Sequence, residues 1–177
     1  MTRLFVTLLG VILGGHAWAQ EATTGPAIEG HGPVYDVATL DLSVSTRTTY
    51  RAVFDAVDYT SDGTGINRDI ERVARFVNMH ARQGVPLENM DLAVVLHGEA
   101  LKSALQHDAY RERFGTDNPN LDMLEALAEA GVQFVACGQS VTYRGFGRDE
   151  LASPVNIALS AMTAMVTLQA DGYALLP

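Results

Sequence analysis

The chain has 177 residues, a length that suits one domain. Its 47 % hydrophobic and 19 % charged content is that of a globular fold, which excludes a disordered chain and a membrane bundle. The formal charge is −9, Lys102 is the single lysine, and Arg72, Arg75, Arg111 and Arg113 have acidic neighbours, which excludes a nucleic-acid surface.

The chain opens on a pattern of export. Arg3 supplies a positive start, Leu4-Phe5-Val6-Thr7-Leu8-Leu9-Gly10-Val11-Ile12-Leu13 is an apolar run, and Ala17-Trp18-Ala19 is a small-x-small cleavage pattern. The run is shorter than the roughly 20 residues a membrane span needs, so a cleavable signal peptide over residues 1–19 is expected rather than an anchor. The leader holds no cysteine for lipidation. Cleavage after Ala19 leaves Gln20 as the first mature residue, and in a Gram-negative cell the destination is the periplasm.

Residues 20–48 then read as an N-terminal arm. Their first part, rich in Gly, Pro, Thr and Glu, looks like a flexible lead-in, and 34–42 alternates loosely as an extended segment would. From residue 49 the pattern changes to that of an α/β domain running to 177. Tyr50-Arg51-Ala52-Val53-Phe54-Asp55-Ala56-Val57 is a strand, and Asp62-Gly63-Thr64-Gly65 is a turn. A helix over 67–82 follows, with Ile70, Val73, Ala74, Val77 and Ala81 on one face and Asn67 or Asp69 as cap.

Asp91-Leu92-Ala93-Val94-Val95-Leu96-His97 is a nearly continuous apolar strand, as expected where a parallel sheet is covered on both faces. Gly98 begins another helix carrying Ala100, Leu101, Ala104 and Leu105. Asn120 is placed to cap a helix over 121–130, which Gly131 ends. Val132 to Cys137 forms the third strand, with a short helix or turn near 141–146 and a turn at 149–151. A fourth strand over 155–159, a helix capped by Ser160, and a last strand over 173–176 complete the chain. This alternation predicts a mainly parallel, five-stranded sheet with helices on both faces.

Cys137 is the only cysteine, so no disulfide within the chain is available to it. It either packs as a small buried hydrophobe or acts as a reactive thiol. Its place at the end of a strand favours reactivity, because ligands and reactive groups gather beyond the carboxyl ends of strands in open α/β sheets. A helix starting after Gly138 would turn free N–H groups toward the sulfur and favour the thiolate. Arg144, six intervening residues on, can help hold an anionic sulfur. His97 ends the neighbouring apolar strand and can act as a base near neutral pH, or simply cap the sheet edge.

Val132-Gln133-Phe134-Val135-Ala136-Cys137-Gly138, then Arg144-Gly145 and Asp149-Glu150-Leu151, resemble the DsrE/DsrF-like family of sulfur-relay proteins, and in particular its exported branch. Val94-Val95-Leu96-His97-Gly98 and the closing Leu168-Gln169-Ala170-Asp171-Gly172-Tyr173 fit the same pattern, so the resemblance spans about residues 48–177. It implies a flavodoxin-like DsrE fold assembled as a homotrimer or homohexamer. It also implies a persulfide carried on Cys137 between a sulfur donor and an acceptor, with Arg144-Gly145 at the matching position. Two features depart from the relay members: Gly138-Gln139-Ser140 replaces an alanine-rich run after the cysteine, and the chain is expected to be exported. A non-catalytic assembly module with a structural Cys137 is the rival expectation, and a mixed-disulfide partner in an oxidising compartment is a third.

No cofactor or metal is expected. The Asp62-Gly63-Thr64-Gly65 turn lacks the third glycine of a dinucleotide loop, since Arg68 takes its place, and there is no Gly-Lys-Ser/Thr. Asp58, Asp62 and Asp69 match no cation loop, and His16, His31, His80 and His107 show no ligand spacing. Six residues separate Cys137 from Arg144, one more than a rhodanese loop takes. The last helix is apolar nearly all round (Ala161, Met162, Ala164, Met165, Val166, Leu168), so it is either deeply buried or covered by another subunit.

Overall fold

All five expected strands form in the computed structural model of the chain, which describes residues 20–60 and 63–176. The expected leader and Asp62 lie outside those residues. The strands are β1 (Tyr50–Ala56), β2 (Met90–Leu96), β3 (Gln133–Cys137), β4 (Val155–Ala158) and β5 (Ala174–Leu176). They pair in parallel throughout, in the order β4-β3-β2-β1-β5. The helices are α1 (Arg68–Arg82), α2 (His107–Phe114), α3 (Leu121–Glu129), α4 (Gly138–Arg144) and α5 (Ala161–Ala170).

Strand order decides which helix covers which face. From β1 to β4 the chain steps one way across the sheet, and right-handed crossovers put α1 to α4 on the same side. The last connection returns over the whole sheet to β5, so α5 crosses the opposite side. The core divides accordingly. Phe54, Leu92, Val94, Leu96 and Phe134 face the larger cluster beneath α1 to α4. Val53, Ala93 and Val95 face a small one beneath α5, closed by Ala164 and Tyr173.

Local chemistry places the helix ends. The Asn67 side chain accepts from the N–H groups of Asp69 (2.9 Å) and Ile70 (3.3 Å), which starts α1. Its expected apolar stripe, Ile70, Val73, Ala74 and Val77, is buried. Ser160 Oγ accepts from Thr163 N–H at 3.0 Å and starts α5.

Three expectations change. First, the segment after β2 is a 3-10 turn over Gly98–Ala104, and α2 begins only at His107. Ala100 N–H bonds back to the Val57 carbonyl at 3.0 Å, tying that turn to the end of β1. Second, Asn120 precedes α3 without capping it. Its side chain instead accepts from Asn67 N–H at 2.6 Å and donates to Tyr59 Oη at 2.8 Å, which holds the β1–α1 loop in place.

Third, the start of the arm is docked rather than loose. Thr23 and Val34 form an antiparallel bridge, and Ile28 and Val34 are buried. Asn78, fully buried on α1, accepts from Ile28 N–H at 2.8 Å and donates to the carbonyls of Ile28, His31 and Gly32. Arg82 adds bonds to the carbonyls of Thr23, Thr24, Gly25 and Val34. A side chain on Gly32 would meet the Ala74 backbone at 2.5 Å, so only glycine lets the strap lie this close to α1.

Candidate functional site

Cys137 closes β3, paired with Ala158 of β4. Phe134 and Ala136 point into the larger core, so Cys137 takes the opposite side, toward α5. Helix α4 starts at the next residue, Gly138, and ends at Arg144, so it begins three residues earlier than the short helix or turn expected near 141–146 and directly after the cysteine. A Cβ at Gly138 would sit 2.6 Å from the Ala158 carbonyl and 3.2 Å from that of Leu159. Glycine at this position therefore lets α4 begin directly against the end of β4, which gives the departure Gly138-Gln139-Ser140 a physical reason.

Two helices thus start beside the sulfur. Burial, with Cys137 only 6 % exposed, pushes its thiol up. Hydrogen bonds from the Ser140 hydroxyl and from the backbone N–H groups of Ser140, Ala161 and Gln139 pull it down, and together they win: the thiol titrates below its ordinary value. Ala161 is the first residue of α5, so both faces of the sheet contribute donors.

His97 follows β2 in extended backbone, and its Nε2 lies 2.8 Å from Asp55 Oδ1 on β1. The ring is bonded to that carboxylate and not to the thiol. Arg144 ends α4, at the far end of a seven-residue helix from the cysteine. Its Nε donates to the Gly98 carbonyl at 3.0 Å and its Nη2 to Glu99. Glu99 also pairs with Lys102, and the two cations, Lys102 first, hold its carboxyl below the usual range. Arg144 therefore pins the C-terminal end of α4 onto the turn after β2.

Sequence reasoning missed Asp55, Ser140 and Ala161. Asp55 left a readable signal: it is the one carboxylate inside an otherwise apolar strand run, flanked by the buried Phe54 and Ala56. Ala161 acts through its backbone N–H, which carries no residue-type signal, whereas Ser140 adds its hydroxyl to its backbone N–H.

The site borders an apolar surface. Leu159, Met162 and Val166 are 72 %, 77 % and 68 % exposed, and α5 from Ala161 to Ala170 carries no charged residue. Only Ala164 of that helix is fully buried. Of the two expectations for α5, deep burial is excluded within a single chain. Among the described residues no helix is long and apolar enough to cross a membrane.

The profile of the DsrE/DsrF-like family matches residues 51–177. No curated protein matches the sequence. Among solved structures, a protein of unknown function from Methanobacterium thermoautotrophicum is similar in fold, with a TM-score of 0.54 at 22 % identity over 72 % of this chain and 97 % of that one. That likeness supports the parallel α/β architecture alone.

Proposed function

The chain belongs to the DsrE/DsrF-like family, and from that premise we propose that it is an exported sulfur carrier that holds sulfane sulfur on Cys137 as a persulfide. The family is associated with sulfur relay in general. The observation that carries the reading is the environment of the thiol, where four donors from the starts of α4 and α5 favour the anion. A thiolate is the nucleophile that sulfur transfer requires.

The step balances without an oxidant. The Cys137 thiolate attacks the outer sulfur of a persulfide or polysulfide donor; a new S–S bond forms and the donor's S–S bond breaks. The electron pair leaves on the donor's thiolate, which takes up a proton. An acceptor thiol later removes the same sulfur by the reverse step, so the protein is a carrier more than a turnover enzyme. In this reading Arg144 keeps α4 in position, and His97 adds charge control at the same edge.

Assembly and location follow as parts of the proposal. Leu159, Met162 and Val166 form the contact between subunits of a homotrimer or homohexamer, and the leader over 1–19 directs the chain to the periplasm. Incubation with polysulfide followed by intact-mass measurement tests the carrier role. Wild type is expected to gain whole sulfur atoms and Cys137→Ser none. The low exposure of Cys137 favours one rival, an assembly module in which the thiol only packs. Absence of sulfur addition, with alkylation only after unfolding, would establish that rival; glutathione adducts in preference to sulfur would establish a mixed-disulfide partner.

A further inference from the structure

Three side chains gather near the carboxyl edge of the sheet on its α5 side. On β1, Phe54 and Ala56 face the larger core, so Asp55 between them points the other way. On β2 and β3 the last paired residues are Leu96 and Ala136, both in the larger core, and His97 and Cys137 each stand one residue beyond them. The 2.8 Å contact to Asp55 puts the His97 ring on the α5 side, and the bond from Ala161 puts the Cys137 sulfur there too. Leu96 is level with Ala136, so His97 stands beside Cys137 about one strand spacing away, while Asp55 is level with Val95 and meets the His97 ring diagonally from β1. The Asp55 and His97 side chains are 36 % and 27 % exposed, whereas Cys137 is 6 % exposed, so an incoming molecule meets the Asp55–His97 pair before the sulfur.

We infer that His97 is the acid that protonates the thiolate expelled when Cys137 attacks its sulfur donor, and that Asp55 is the positioning residue that orients the ring. This rests on the carrier reading of Cys137 and assigns the proton that it leaves open. The thiol is already served by four donors, so it has no need of His97 as a base. A departing thiolate is the group at this edge that lacks a proton. A carboxylate only accepts, so Nε2 of His97 carries the hydrogen toward Asp55 and Nδ1 is the nitrogen left to exchange.

The proton account closes. Cys137–S⁻ attacks the outer sulfur of R–S–SH, the Sγ–S bond forms, the donor's S–S bond breaks, and the expelled R–S⁻ takes the proton from the His97 imidazolium. The product Cys137–S–SH then returns its proton to His97, leaving the persulfide anion among the same N–H donors. The donor is any persulfide whose thiol is basic enough to need protonation on leaving.

Thiol–disulfide exchange at Cys137 tests this with defined probes and needs no sulfane sulfur. Rates are compared for a dialkyl disulfide, whose leaving thiolate is basic, and an aryl disulfide, whose leaving thiolate is not. His97→Gln is expected to lower the alkyl-to-aryl rate ratio about 100-fold, the lower end of general acid catalysis. Asp55→Asn is expected to lower it about 10-fold, and the double variant to match His97→Gln alone, since the two act as a unit. An unchanged ratio, or an equal fall in both rates, overturns the inference. Nitrogen NMR of the unmutated protein gives a second check that depends on no variant. The neutral ring should be protonated at Nε2, and protonation at Nδ1 overturns the assignment. If the ratio behaves as expected while polysulfide adds no sulfur, the proton pair stands and the carrier reading falls; sulfur uptake with an unchanged ratio is the reverse.

Discussion

One face of the sheet lies under four helices and the other under one, and the two do different work. Beneath α1 to α4 the chain buries most of its apolar side chains, including Phe54, Leu92, Leu127 and Phe134. Beneath α5 the apolar cluster is small, Val53, Ala93, Val95, Ala164 and Tyr173, and the outer side of α5 stays apolar and uncovered. Cys137, Asp55 and His97 all belong to this thin face. The thick face holds most of the buried apolar side chains; the thin face combines the Asp55–His97 pair, a depressed thiol and an exposed apolar surface on α5. A single returning connection, from β4 to β5, creates that asymmetry.

The comparison breaks most visibly at α5. Met162→Glu with Val166→Glu places like charges in the exposed apolar patch, and the expected result is complete loss of the proposed oligomer in light scattering with the fold intact by circular dichroism. An unchanged mass would contradict the proposed contact through Leu159, Met162 and Val166. A smaller effect separates the two cores. Leu92→Ala, fully buried on the thick face, should cost about 2–5 kcal/mol in urea unfolding. Met165→Ala, half-buried on the thin face, should cost about 1 kcal/mol or less at protein concentrations where the chain is monomeric. Equal costs would remove the distinction between the faces.

Much of the thick face was legible in the sequence. The apolar run of β2 and the stripe Ile70, Val73, Ala74, Val77 follow directly from residue periodicity, and Asn67 and Ser160 announce their helices. The docked strap was hidden because its composition is that of a flexible segment, whereas the residue that holds it, Asn78, lies on a distant helix. A polar residue continuing an otherwise buried stripe was the available sign. Asn120 misled for a related reason: a cap residue close in sequence found better partners in Asn67 and Tyr59, which are remote in sequence and near in space. At the site, Cys137 and the helix start after it were readable. Its pairing with the start of α5 was not, because strand order sets that proximity and no local pattern reports it.

The thiol's depressed titration also has a sign for stability. The fold holds the thiolate better than the unfolded chain does. This contribution is therefore full at pH above the unfolded thiol's value, and is lost as pH falls through the folded one.

The most direct test of the account is the pH dependence of Cys137 alkylation by iodoacetamide in the native protein. The midpoint should lie below that of the same thiol in the unfolded chain, and Ser140→Ala should move it upward by removing the hydroxyl donor. A midpoint at or above the ordinary value, or a thiol that reacts only once the chain is unfolded, would contradict the claim that the starts of α4 and α5 hold Cys137 ready as a nucleophile.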